Sequence, residues 1–237
     1  MAFEGCFVTG TDTGVGKTLI SAALLHTLAR HHARVVGMKP VAAGLVQQGG
    51  AWVAEDVLAL RAASTVAVPS GLDNPVALPE PLSPHLAAAR VGRAVTVAEL
   101  FAAHAALRDL ADVVLVEGSG GWRVPLNEDE TLADLAVALA LPVVLVVGLR
   151  LGCLNHALLT AEAIRADGLH LAGWVANTVD PAMACRDENI DTLRQRLAAP
   201  LLGTVPWQPQ GPDARAVQLE LPETWQSKEN HELAERI

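Results

Sequence analysis

Two kinds of segment alternate along this chain. Short apolar or β-branched runs predict buried strands at residues 6–9, 34–38, 113–117, 143–147, 173–176 and 201–205. Longer stretches rich in Ala and Leu predict helices at residues 17–30, 55–62, 84–91, 97–110, 133–139, 155–167 and 186–198. Strands that are apolar on both faces are typical of a parallel sheet covered by helices on each side. The alternation therefore predicts a doubly wound α/β fold, mostly parallel, with helices on both faces of the sheet.

The joins between these segments are marked by Gly and Pro. Gly168 follows one predicted helix, and Pro142 and Pro200 stand just before predicted strands. Residues 66–84 are rich in Pro, Ser, Asn and Gly, which predicts a long surface loop. Residues 1–208 are expected to form a single domain. Residues 209–237 are polar and charged, and they are expected either to belong to that domain or to form a loosely docked tail with a frayed end.

Composition narrows the class of protein. The chain has 237 residues, 51% of them hydrophobic, and a formal net charge of −9. The sequence has no basic stripe, which disfavours nucleic-acid binding because phosphate backbones select clustered Lys and Arg. The three cysteines are far apart and odd in number, which favours a reducing compartment over a disulfide framework. The N-terminus does not resemble a signal peptide, and the longest apolar run, residues 135–149, is too short to span a bilayer. We therefore expect a cytoplasmic protein that does not bind membranes.

The strongest chemical motif is VTGTDTGVGKT at residues 8–18. An apolar strand runs into it and a helix follows it, as a phosphate-binding loop requires. Its glycines let backbone N–H groups curl around an anion, and the helix N-terminus adds its positive dipole end. Lys17 is expected to contact the β- and γ-phosphates, and the Thr18 hydroxyl to ligate magnesium. The residues expected to hold the nucleotide are Asp12, Thr13, Gly14, Val15, Gly16, Lys17 and Thr18.

The loop departs by one residue from the common pattern G-x-x-x-x-G-K-[ST]. Thr11 stands where the first glycine is usual, and Gly10 lies one place earlier. The alternative is a glycine-rich strand-to-helix turn that binds nothing. A Lys-Thr pair at the start of a helix argues against that alternative.

Three charged residues are candidates to complete the site. Glu117 ends an apolar strand, which places it at the edge where open α/β sheets bind ligands and where a second magnesium ligand is expected. Asp56 begins a predicted helix, and Lys39 directly follows a predicted strand. Local sequence leaves alternatives open for each residue. Glu117 could cap a helix or be solvated, Asp56 could be a first-turn charge favoured by the helix dipole, and Lys39 could be solvated.

Seven segments, taken together, resemble the dethiobiotin synthetase family, whose fold is of the P-loop NTPase type. They occur in the family's order and extend over nearly the whole core. Many ATPases share a phosphate loop, but the KPV, EGSGG and GCLNH segments in one chain are far more specific. The segments are FVTGTDTGVGKT at residues 7–18, KPVA at 39–42, SPH at 83–85, VEGSGGW at 116–122, LGCLNHA at 151–157, WVAN at 174–177 and VPW at 205–207.

The resemblance implies a ring-closing ligase of biotin biosynthesis that uses ATP and Mg²⁺. Such an enzyme joins carbon dioxide to 7,8-diaminononanoate and yields dethiobiotin, ADP and phosphate. The implied route forms a carbamate on one amine and transfers the γ-phosphoryl group to it. The second amine then attacks the carbamic-phosphoric anhydride and expels phosphate. Phosphoryl transfer between two anions needs concentrated positive charge and alignment.

The resemblance also implies roles for individual residues. Lys17 and Lys39 supply the positive charge, and Thr11 contacts the diamine or the carbamate. In the family the substrate carboxylate is bound across a homodimer interface by backbone amides at a helix start. The implied magnesium ligands are Thr18, Asp56 and Glu117. The implied adenine site is Asn177, Pro206 and Trp207. The implied substrate contacts are Thr11, Lys39, Gly118, Ser119, Gly120, Leu151, Gly152, Cys153 and Asn155.

Two positions depart from the family's pattern. Ala43 stands where a Ser hydroxyl is common, and Gly14 stands where Glu is frequent. Both departures affect the expected orientation of the substrate and leave the main charge cluster intact. A reactive thiol at Cys153 is disfavoured because no base lies nearby in the sequence and the reaction needs no sulfur nucleophile.

Two other classes of protein are alternatives. Regulatory P-loop ATPases of the partition or division-site kind place a second lysine just ahead of the loop glycines, and here Asp12 occupies that place. Amidoligases of the cobyrinate kind carry a glutaminase domain with a Gly-x-Cys-x-Gly elbow, which this sequence does not contain.

Overall fold

The computed structural model describes residues 3–69 and 71–226. Its centre is a six-stranded parallel sheet with the strand order β10-β9-β8-β1-β7-β2. The strands in chain order are β1 Gly5–Gly10, β2 Val35–Met38, β3 Val41–Ala43, β4 Val46–Gln48, β5 Ala51–Val53, β6 Val76–Leu78, β7 Val113–Glu117, β8 Val143–Leu149, β9 Leu171–Thr178 and β10 Leu201–Val205.

Helices cover both faces of this sheet. The helices are α1 Lys17–Leu28, α2 Glu55–Ala63, α3 Pro84–Arg90, α4 Val97–Arg108, α5 Leu132–Leu139, α6 Cys153–Ala166 and α7 Arg186–Arg196. Successive strand residues point to opposite faces, so Cys6 and Val8 pack with α1, whereas Phe7 packs with α4, α5 and α6. The six predicted strands are the six strands of this sheet, and the predicted α/β fold class is confirmed.

The predicted surface loop at residues 66–84 is wrong in part. It contains β6, which pairs in parallel with β3 just after Lys39. Val76 and Leu78 are buried, and so is the Asp73 side chain. The Pro, Ser and Asn content of this stretch obscured its alternating apolar residues, which are typical of a strand. The exposed hairpin of β4 and β5, joined at Gly49 and Gly50, was also not predicted.

The described part of the C-terminal segment is packed against the α1 face. The Glu220 N–H donates to the Leu202 carbonyl at 2.8 Å, and Leu221 is buried. Trp225 is 4% exposed and stacks on Phe3 with ring centroids 4.4 Å apart. Leu219, Leu221 and Trp225 of this segment therefore lie in the apolar layer that also contains α1. The expected frayed end falls on residues 227–237, which lie outside the described residues.

Candidate functional site

The motif at residues 8–18 forms a strand-loop-helix turn at the middle of the sheet. β1 ends at Gly10 between β7 and β8, and α1 begins at Lys17. Gly16 has a φ of +91°, and a Cβ atom there would lie 2.2 Å from Asn177 Nδ2. The same Asn177 amide donates to the Val15 carbonyl at 2.8 Å. The end of β9 therefore braces the loop, and only glycine fits at the position before Lys17.

A cluster of charged residues lies beside the loop. Lys39 Nζ donates to Glu117 Oε1 at 2.7 Å and lies 3.0 Å from Asp56 Oδ2. The Thr18 hydroxyl donates to the same Glu117 Oε1 at 2.9 Å. The ends of β2 and β7 and the starts of α1 and α2 thus bring together four residues that are distant in sequence.

This cluster has the donors that a magnesium ion requires. Glu117 is fully buried, and within the described residues its Oε2 atom has no hydrogen-bond partner. Such an atom costs free energy unless a cation or donor joins it. Carboxylate and hydroxyl oxygens are the ligands that Mg²⁺ prefers. Glu117, Thr18 and Asp56 are therefore the residues that could hold a magnesium ion at this site.

The two lysines differ in their electrostatic surroundings. Lys17 donates to the backbone carbonyls of Asp12 at 3.1 Å and Gly120 at 2.7 Å. Burial, together with the nearby Lys39 charge, lowers the pKa of Lys17 to about 8. Burial also disfavours the charge on Lys39, but the Glu117 and Asp56 carboxylates outweigh it and raise its pKa. Lys39 therefore keeps its charge where Lys17 begins to lose its own, near pH 8.

The backbone of Lys39 is held by residues that the sequence analysis missed. Its N–H donates to the Asp73 carbonyl at 2.7 Å, and its carbonyl accepts from Asn74 Nδ2 at 2.8 Å. The buried Asp73 carboxylate accepts from Arg61 Nη2 of α2 at 2.8 Å. The helix that carries Asp56 is thus tied to the segment that fixes Lys39. Only the turn-forming composition of residues 73–75 hinted at an ordered turn here.

The phosphate loop and the cluster of Lys39, Asp56 and Glu117 line the same cavity, which has a volume of about 1360 Å³. The apolar residues in its lining include Leu82, Leu86 and Val124. The lining also includes Pro206 and Trp207, which follow β10. The predicted site residues that line it are Asp12, Thr13, Gly14, Gly16, Lys17, Thr18, Lys39, Asp56, Glu117, Ser119, Gly120, Asn177, Pro206 and Trp207.

Three predicted site residues lie beside the cavity rather than on its wall. Thr11 donates its N–H to the Val146 carbonyl at 3.0 Å, and the Val15 side chain is buried beneath the loop. The Gly118 N–H donates to the Val8 carbonyl at 2.9 Å, so it extends the sheet and is not free for a substrate. The Gly118 carbonyl accepts from Lys39 Nζ at 3.1 Å.

The predicted substrate residues at the start of α6 are not on the cavity wall of the same chain. Leu151 is 96% exposed, whereas Cys153 is buried. Gly152 has a φ of +97° and precedes the first residue of α6, and Asn155 lies in the first turn. Arg150, which the sequence analysis did not select, connects this segment to the phosphate loop through an ion pair with Asp12.

The fold and site together define an ATP-binding domain of the P-loop NTPase class. The family described as an AAA domain matches residues 4–214, and the chain belongs to this family. Among the helices of the described residues, none combines the length and apolar character needed to cross a membrane.

Solved structures of other P-loop proteins have a similar fold. A ParA family ATPase from Chlorobium tepidum TLS aligns with a TM-score of 0.52 and 11% identity, over 88% of this chain and 87% of that one. The MinC:MinD cell division protein complex of Aquifex aeolicus gives 0.52 and 16%, over 87% and 82%. The signal recognition particle receptor FtsY from Elizabethkingia anophelis, in complex with GDP, gives 0.50 and 17%, over 95% and 62%. At these identities the similarity establishes the fold alone.

Proposed function

We propose that this chain is a dethiobiotin synthetase that uses ATP and Mg²⁺. The observation that carries the proposal is the contact of Lys39 Nζ with Glu117 and Asp56, at 2.7 and 3.0 Å, directly beside the phosphate loop. The family to which the chain belongs includes dethiobiotin synthetases. Six of the seven sequence segments that resemble that enzyme contribute to the lining of one cavity, and together they supply half of its residues.

The reaction begins with a carbamate, formed from one amine of 7,8-diaminononanoate and carbon dioxide. The carbamate oxygen attacks the γ-phosphorus of ATP, the bond to the β-phosphate oxygen breaks, and ADP leaves. The second amine then attacks the carbamate carbon, and phosphate leaves as the cyclic urea closes. The carbamate and the ATP triphosphate are both anions, so their approach requires fixed positive charge.

The chain supplies that charge from two sides of the cavity. Lys17 exchanges its present carbonyl partners for phosphate oxygens, and Lys39 faces the carbamate. A magnesium ion held by Thr18, Asp56 and Glu117 would supply further charge at the phosphates. Ser119 and Gly120, which line the cavity, and Thr11 beside it are assigned to substrate orientation. The apolar residues Leu82, Leu86 and Val124 in the lining suit a hydrocarbon chain.

Adenine binding is assigned to Asn177, Pro206 and Trp207, which are part of the cavity lining. Trp207 is half exposed there and offers an aromatic face to a base.

The substrate carboxylate is assigned to a second copy of the chain. None of Leu151, Gly152, Cys153 and Asn155 lines the cavity of its own chain, and we propose a homodimer in which each subunit completes the other's site. We propose that this dimer acts in the cytoplasm without nucleic-acid or membrane partners.

The decisive experiment supplies purified protein with the diamine, bicarbonate, ATP and Mg²⁺. We expect dethiobiotin and ADP in equal amounts, measured by mass spectrometry and a coupled ADP assay. ATP hydrolysis that is stimulated by DNA or by lipid vesicles, with none from the diamine, would instead support a regulatory switch ATPase. Asp12, in the place where such switch ATPases carry a lysine, disfavours that second function.

A further inference from the structure

Arg150 reaches the phosphate loop from the neighbouring strand. It directly follows β8, which pairs with β1, and its Nη2 atom forms an ion pair with Asp12 Oδ2. The other carboxylate oxygen of Asp12 accepts from the Thr13 N–H at 2.7 Å. The Asp12 side chain is therefore held on one side by the loop backbone and on the other by Arg150.

Asp12 is an unfavourable charge for a loop that receives phosphates. Its backbone carbonyl accepts from Lys17 Nζ, so Asp12 lies directly beside the ammonium that a triphosphate needs. Its carboxylate also attracts that ammonium electrostatically. A free carboxylate at this position would repel a triphosphate and compete with it for Lys17.

We propose that Arg150 is a positioning residue for nucleotide binding, which neutralises Asp12 and so removes the repulsion that this carboxylate would exert on the phosphates. Both side chains are about half exposed, at 41% for Arg150 and 47% for Asp12. An exposed ion pair adds little to folding stability, so weaker nucleotide binding in a variant would not result from unfolding. The proposal rests on nucleotide binding by the loop and not on the ring-closing reaction.

The position of Arg150 is itself fixed by the backbone. Its carbonyl accepts from the Cys153 N–H at 3.0 Å, in the turn that begins α6. The guanidinium therefore extends from a rigid strand end and not from a free loop, which keeps it within reach of Asp12.

The test uses calorimetric binding of a non-hydrolysable ATP analogue and of ADP, both with Mg²⁺. We expect Arg150→Gln to weaken binding of the triphosphate analogue about tenfold, and binding of ADP by less, because fewer phosphate charges meet the carboxylate. Arg150→Lys should retain most of the affinity. The loss in Arg150→Gln should shrink at high salt, and its Tm should stay close to that of the wild type.

A second-site variant separates this role from a direct contact. In the double variant Asp12→Asn with Arg150→Gln, most of the lost affinity should return, because no carboxylate remains to be neutralised. Arg34→Gln, which breaks the exposed ion pair with Asp112 at the sheet edge, is the matched control and should bind as the wild type does. Wild-type affinity in Arg150→Gln would overturn the proposal. A double variant as weak as Arg150→Gln would also overturn it, since Arg150 would then act on the phosphates directly.

Discussion

Glu117 shows how much of the chemistry depends on one buried side chain. Its Oε1 atom accepts from both Lys39 and Thr18, which lie 78 and 99 residues away in sequence. A buried carboxylate is tolerated only when it is paired, so this single residue orients a lysine and a hydroxyl toward the same space. The cluster is therefore built before any ligand arrives.

Replacing Lys39 should separate catalysis from nucleotide binding. In Lys39→Ala we expect turnover to fall by a factor of about 10² or more, because charge facing the reacting group is lost. Binding of an ATP analogue should remain measurable because Lys17 and the loop are unchanged. Steady-state assays and calorimetry measure the two effects, and circular dichroism checks the fold, since Glu117 loses a partner. Wild-type turnover in this variant would refute the role of Lys39.

Lys17 should make nucleotide binding dependent on pH. Its pKa is lowered to about 8 in the free protein, so the charged form is lost as pH rises through that value. Bound phosphates favour the ammonium, and binding near pH 8 should therefore take up part of a proton and weaken at higher pH. Calorimetry in buffers of different ionisation enthalpy measures the uptake. Lys17→Met should abolish it, and buffer-independent heats in the wild type would contradict the assignment.

The charged groups of the site could be predicted from the sequence, but the residues that fix their positions could not. Lys17 follows from its motif, and Lys39 and Asp56 become clear only with the family resemblance. Arg150 and Asp73 carry no local pattern. Arg150 pairs with Asp12, 138 residues away, and Asp73 binds Arg61 and the Lys39 backbone across intervening elements. Ion pairs of this kind depend on which strand ends meet, and a single sequence does not encode that visibly.

The phosphate loop is the element on which the site depends. Its turn is possible because Gly16 leaves space for Asn177 at the end of β9. Gly14 also has a positive φ, of +74°, yet a Cβ atom there would meet nothing within 4 Å. A side chain is therefore excluded by contact at Gly16, whereas at Gly14 it is disfavoured only by the backbone conformation.

This difference predicts unequal effects of two alanine substitutions. Gly16→Ala should abolish measurable nucleotide binding, because its Cβ would displace the Asn177 amide and distort the loop before Lys17. Gly14→Ala should cost only the backbone strain, about 1–2 kcal/mol, and keep the loop closed. Thermal denaturation and calorimetry of both variants provide the comparison. Equal losses of nucleotide affinity in the two variants would show that backbone strain, and not the contact with Asn177, determines the loss.

The strands of the main sheet could be predicted from the sequence because each is a continuous apolar run between turn signals. The short strands outside this sheet could not be predicted. β3 and β6 have only three residues each, and they pair across a stretch whose composition is typical of a loop. The hairpin of β4 and β5 is exposed, so no buried face produces a periodic pattern.

The whole molecule is a sheet with two apolar layers, and the described C-terminal residues complete one of them. Trp225, Leu221 and Leu219 join the layer that also contains α1. The His32 ring lies 2.8 Å from the Trp225 carbonyl, which adds a polar contact to this packing. Polar composition after residue 209 concealed this, because three apolar side chains spread over a short stretch show no period.

Removing Trp225 should therefore destabilise the entire fold. We expect Trp225→Ala to lower the free energy of unfolding by about 3–5 kcal/mol, as for other buried aromatic truncations. Trp52, which is 66% exposed on the β4–β5 hairpin, is the matched control, and Trp52→Ala should change stability little. Chemical denaturation followed by circular dichroism measures both. Similar midpoints for the two variants would mean that residues 209–226 contribute no core.

The resting charges of the phosphate-binding region have a consequence for which form of the nucleotide can enter. Among the described residues there, cationic and carboxylate side chains are equal in number, and each of the carboxylates contacts a cation. A bare triphosphate would find no surplus of side-chain charge, and it would have to separate Lys39 from its carboxylates. A triphosphate that arrives with its own divalent ion offers those carboxylates a new partner and frees the ammonium groups. We therefore expect the protein to bind metal-free ATP only weakly, even when it is abundant. The side chains are Lys17, Lys39, Arg150, Asp12, Asp56 and Glu117.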